Sequence, residues 1–212
     1  MAKQEQDNGG GMPLWAKIAV GGAALLLVGA ATGMFNETQV PDLEKEAGND
    51  ALHSPEPGDV LLFYRPRRGR DYFIRWFTRS PFYHAALFAG ADHVFEARPA
   101  GVGLNRIADR RADFVVAPAP KGQGAAALEW ARTQLGDAFD DKDFLIIALE
   151  HIFVGWHINY APPGRYSCAG FVTDAFVHAG ADPFPGREPD EISPADWARY
   201  LPAPYNTKYG KT

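Results

Sequence analysis

The feature that most constrains this chain is a run of 18 uncharged residues, Ile18 to Phe35, inside an apolar stretch that begins at Leu14 and is broken only by Lys17. Such a run can just cross a bilayer, so residues 14–35 are expected to be a transmembrane anchor or a signal peptide. Trp15 and Lys17 stand where an interfacial aromatic and a snorkelling cation belong, and Glu37, Asp42, Glu44 and Glu46 follow with only Lys45 among them. This asymmetry keeps residues 1–13 in the cytoplasm and puts the rest outside, on the periplasmic or extracytoplasmic side. Small residues at Val28 to Ala31 suit processing instead, in which case the chain is exported after cleavage; a soluble buried helix is the third reading. No cysteine lies nearby, which excludes lipoprotein processing.

Residues 36–56 are polar and acidic with scattered Pro and Gly, as in a linker, and the globular part is expected over residues 57–212. Composition sets limits on that part. With 46% apolar and 22% charged residues the chain can bury a core, and a net charge of -5 argues against a nucleic-acid binder that works by counterion release. One cysteine allows no intramolecular disulfide, cysteine-rich zinc cage or iron–sulfur cluster. Strands are predicted at Val60–Tyr64, Tyr83–Phe88, His93–Ala97, Val102–Leu104 and Phe114–Ala117, with a turn at Ala89-Gly90-Ala91-Asp92. Helices are predicted at Asp71–Arg79, Gly124–Leu135 and Ser167–His178, the last ending at Gly180, and a further one opens at Ser193-Pro194. Strands followed by helices make this an α+β pattern, an antiparallel sheet with packed helices.

The single cysteine, Cys168, follows Pro162-Pro163-Gly164 and opens an apolar-periodic helix, where its thiol faces the positive helix end. A thiol of pKa ~8.5 needs about 3 to 4 kcal/mol to become an anion at neutral pH. The helix end supplies about 0.3 to 2 kcal/mol, whereas an imidazolium about 4 Å away supplies on the order of 4 kcal/mol. A reactive Cys168 therefore needs a histidine. A turn centred on Gly90 places His84 opposite Glu96 with both side chains on one face, while His93 points to the other. The plainer reading is a core cysteine and a cross-strand polar pair; taken together, the three residues supply nucleophile, base and orienting carboxylate.

The segments Gly58-Asp59-Val60-Leu61-Leu62-Phe63, Arg75-Trp76-Phe77-Thr78-Arg79-Ser80-Pro81-Phe82-Tyr83-His84, Phe95-Glu96-Ala97 and Tyr166-Ser167-Cys168-Ala169-Gly170-Phe171-Val172 carry a further signal. In order and spacing, the stretch from Pro57 to Pro194 resembles the permuted papain-like hydrolases of the NlpC superfamily, especially the YiiX-like group, with lecithin retinol acyltransferase more distant. Ala131 to Asp140 resembles the helix and glycine turn that precede the nucleophile in NlpC-type enzymes. The resemblance implies a permuted papain-like fold and a Cys168–His84–Glu96 triad, without metal or organic cofactor. The backbone N–H of Cys168 would serve an oxyanion hole, with Tyr166 or Tyr64 as phenolic donors. Departures are Phe139 where tyrosine is common, Tyr83 where serine is frequent, and Ala169-Gly170 after the cysteine.

The expected activity is that of a thiol hydrolase cleaving a peptide or N-acyl amide, with cell-wall (peptidoglycan) peptides or lipid-linked amides as substrates. The alternatives are a lipid acyl hydrolase or acyltransferase and a non-catalytic wall or lipid binder. Arg65, Arg67, Arg68, Arg70, Arg75 and Arg79 interleave with Tyr72, Phe73, Trp76 and Phe77. They could meet anionic lipid, or the aromatics could pack in the core with the arginines solvated. The apolar Phe144 to Trp156 is read as an acyl-binding wall or a buried helix. Gly122 to Ala127 matches the dinucleotide pattern only loosely and lacks the second strand with its ribose-binding acid. His151 and His157 are six apart, the wrong spacing for a helical zinc pair.

Overall fold

The computed structural model describes residues 54–66, 69–110, 113–139, 165–203 and 205–210, all within one compact unit, Thr38–Thr212. The anchor or signal segment, the linker through residue 53, Phe144 to Trp156, His53, His151 and His157 lie outside the described residues. Among the described residues, no helix is long and apolar enough to cross a membrane.

Five strands, β1 (Val60–Tyr64), β2 (His84–Gly90), β3 (His93–Arg98), β4 (Gly101–Arg106) and β5 (Asp113–Ala117), form one antiparallel sheet in the order β4-β3-β2-β1-β5. The helices are α1 (Gly69–Thr78), α2 (Ile107–Arg110), α3 (Gly124–Thr133), α4 (Cys168–His178) and α5 (Tyr205–Tyr209). A two-residue parallel ladder joins β6 (Ala138–Phe139) to β7 (Arg165–Tyr166). The fold is thus α+β, with an antiparallel sheet and packed helices.

β1 reads VLLFY without alternation because it is buried on both faces. Val60, Leu62, Ala85, Leu87, Phe95 and Ala97 face the core filled by Leu128 of α3 and by Phe171, Val172, Ala175 and Phe176 of α4. Leu61, Phe63, Ala86, Phe88, Val94 and Val116 form a second apolar layer on the other face, against which Ile74 of α1 packs. Trp197 plugs the larger core, its Nε1–H donating to Thr173 Oγ1 at 3.2 Å and its ring meeting Phe176, Phe184 and Tyr200. Truncating a side chain so buried costs about 3–5 kcal/mol.

The Gly58-Asp59 pair has a packing role. Gly58 has φ +99°, and a Cβ there would lie 2.3 Å from Gly124 Cα, so two backbones touch where no side chain fits. Asp59 secures the junction by accepting from Ala119 N–H and Glu56 N–H, each at 2.9 Å.

Three expectations are corrected. The hairpin turn is not centred on Gly90: the two-residue loop is Ala91-Asp92, both at positive φ, as the twist-matched hairpin turn requires. Ser193-Pro194 opens no α-helix; Asp196–Tyr200 is a 3-10 turn whose Asp196 carboxylate accepts from Ser193 N–H. Pro202 disfavours helical geometry at Leu201, and the turn ends there. On α1 the polarity is reversed at two positions, because Arg75 is only 8% exposed whereas Trp76 is 39% exposed.

Candidate active site

Register builds the site. Leu87 pairs with Phe95 and Phe88 with Val94, with a bulge before Gly90. Continuing that register, Glu96 falls opposite Ala86, not opposite His84 as the Gly90-centred turn implied. The displacement is two residues, so side-chain parity survives and His84 and Glu96 still leave the same face. They are diagonal neighbours, a separation that a glutamate and an imidazole can close. His84 Nε2 lies 2.7 Å from Glu96 Oε2, with the histidine 5% exposed and the glutamate 0%.

The neighbours on either side of Glu96 are small. Ala86 flanks it on β2 and Gly103 is its partner on β4, which leaves lateral room for long side chains to meet. Arg98, two residues on along β3, places Nε 3.2 Å from Glu96 Oε1. The Phe63 ring packs against the imidazole at 5.7 Å between centroids. A carboxylate only accepts hydrogen bonds, so Nε2 carries the proton it donates to Glu96 and proton exchange falls to Nδ1.

Cys168 is the first residue of α4 and is half-buried. Ser167 caps the helix in an extended conformation, its Oγ accepting from Gly170 N–H at 2.9 Å. A Cβ on Gly170 would lie 2.8 Å from that Oγ and 3.1 Å from Pro189 O, which accounts for glycine at this position. The approach to Cys168 is tied to the sheet. Val102 N–H donates to Asp137 O at 2.8 Å, Gly136 N–H donates to Val102 O at 3.0 Å, and β6 then pairs with β7 immediately before the cap. The body of α4 covers the Ala85, Leu87, Phe95 and Ala97 face, whereas His84 and Glu96 leave beside Phe63, Ala86 and Val94. Cys168 stands at the first residue of this helix, whose body lies on the sheet face opposite the one from which the His84–Glu96 pair projects.

The two phenols are placed differently. Tyr166 donates its hydroxyl to Gln134 Oε1 at 3.0 Å and packs edge-on to Trp130 and Phe171. Burial, with Asp174 and Asp137 nearby, raises its pKa and keeps the donor protonated. Tyr64 is buried in the α3–α4 core, on the face of β1 opposite Phe63 and hence away from the His84–Glu96 pair. His93 sits at the turn with Nδ1 2.8 Å from Ala91 O, and His178 stacks on Trp130 at 4.8 Å. Among the described residues, no group of three or more His, Cys, Asp or Glu side chains could hold a metal ion.

Arg98 is the site residue that sequence reasoning missed. Its signal was the Glu96-Ala97-Arg98 spacing, which puts both charges on one face of a strand. No protein-family model matches the chain, and no curated protein shows significant similarity to it.

Proposed function

We propose that the chain is a cysteine-dependent hydrolase of permuted papain-like type that cleaves an amide, peptide or N-acyl, with Cys168 as nucleophile, His84 as base and Glu96 as orienting carboxylate. The observation that carries this reading is the buried His84–Glu96 pair at 2.7 Å; the helix opened by Cys168 packs on the other face of the same two strands. A buried carboxylate and imidazole are costly to keep for structure alone, and buried ionisable pairs of this kind concentrate at functional sites.

In the proposed cycle His84 Nδ1 takes the Cys168 proton, and the thiolate attacks the substrate carbonyl carbon. The Cys168 N–H, which helix geometry leaves outside the intrahelical ladder, receives the oxyanion. As the C–N bond breaks, the imidazolium returns its proton to the departing amine and a thioester remains. His84 then deprotonates water, the hydroxide attacks the thioester, and the acid leaves as the thiol is restored. With the domain outside the membrane, cell-wall peptides are the first substrate class and lipid-linked amides the second.

The test incubates wall fragments and lipid extracts with the wild type and Cys168→Ala, and reads products by mass spectrometry. A product formed only by the wild type identifies the scissile bond. A transacylated product points to an acyltransferase. Binding without any product, together with a Cys168 that alkylates as an ordinary thiol, refutes hydrolysis in favour of a binding module.

A further inference from the structure

Glu96 is completely buried, yet its two oxygens face different partners, His84 Nε2 at 2.7 Å and Arg98 Nε at 3.2 Å. The Arg98 side chain is 32% exposed, so its charge is held at the margin of the protein while it reaches the buried carboxylate. Gly103 lies opposite Glu96 and Gly101 opposite Arg98, so β4 places no Cβ directly across from either residue, and the next side chain on that face is Asn105, whose Nδ2 lies 3.2 Å from where a Gly103 Cβ would stand.

We propose that Arg98 is a positioning residue that acts through Glu96 to hold the imidazole of His84 as the Nε2–H tautomer. The inference rests on the catalytic reading above and deepens it. A carboxylate in a fully desolvated position beside a neutral imidazole is under pressure to take up a proton. A protonated Glu96 would donate to Nε2 and drive the ring proton to Nδ1, the nitrogen that must accept from a thiol or water. The guanidinium opposes this by keeping the negative charge on Glu96, and Nε2–H then remains the donor. Arg98 touches neither nucleophile nor substrate in this role.

The experiment reads the tautomer directly, by NMR of ¹⁵N-histidine-labelled protein at one fixed pH, in the wild type, Arg98→Gln and Arg98→Lys. The wild type should show His84 as Nε2–H. Arg98→Gln should raise the Nδ1–H or doubly protonated population about tenfold and lower kcat about 10- to 100-fold with KM within about twofold, and Arg98→Lys should recover most of both. An unchanged His84 spectrum in folded Arg98→Gln overturns the inference, as does a lysine variant no better than glutamine. The NMR readout needs no turnover. A protein with no activity but a tautomer that follows Arg98 would refute the catalytic reading alone, and an active protein whose tautomer ignores Arg98 would refute the inference alone.

Discussion

Replacing Glu96 with glutamine preserves shape and removes one charge, which makes it the sharpest probe of the site. With Nε2 and Oε2 2.7 Å apart, the centres of the delocalised charges on the two groups are separated by about 4 Å. At an effective dielectric near 20, the carboxylate then favours the imidazolium by about 4 kcal/mol, and the opposing guanidinium of Arg98 reduces this to about 2 to 4 kcal/mol. If the imidazolium sustains the Cys168 thiolate, Glu96→Gln lowers the thiolate fraction at neutral pH by up to about 30-fold, the limit set by an ordinary thiol of pKa about 8.5. The assay is iodoacetamide alkylation of Cys168 against pH, which requires no substrate. The midpoint should rise toward an ordinary thiol value of about 8.5, and His84→Ala should move it the same way. Urea unfolding of each variant separates loss of the ion pair from loss of the fold. Wild type, Glu96→Gln and His84→Ala with superimposable alkylation profiles would refute the reasoning, because the imidazole would then have no electrostatic contact with the sulfur.

Gly58→Ala should destabilise the domain by about 3–5 kcal/mol in urea, from backbone strain at φ +99° and collision with Gly124, and a loss below about 1 kcal/mol would show that the two loops separate freely. Asp196 is depressed below the ordinary carboxylate value: burial pushes it up, but hydrogen bonds from Arg187 and Ser193 outweigh that. Its stabilising contribution is therefore fully present above the unfolded-chain pKa of about 3.9 and lost as pH falls through the lower folded value. Asp196→Asn should melt below the wild type at neutral pH and converge with it in acid; parallel melting curves at every pH would contradict this.

Signals that depend on near neighbours in the chain were legible in the sequence. The continuous VLLFY of β1, the helix start at Ser167-Cys168 and the glycine after α4 each act within a few residues. Parity along β2 and β3 is equally local, which is why His84 and Glu96 were placed on one face although their register was wrong. That register depended on a bulge before Gly90 and a loop at Ala91-Asp92, where alanine at positive φ carries no composition signal. Residues distant in sequence decided the rest: the Gly58–Gly124 contact, the pairing of β5 with β1, the burial of Arg75 and the exposure of Trp76. Arg98 shows the division within three residues. Its shared strand face with Glu96 follows from a period of two, but its effect on an imidazole arises only because the fold brings β2 and β4 to either side of β3, burying the carboxylate beneath both.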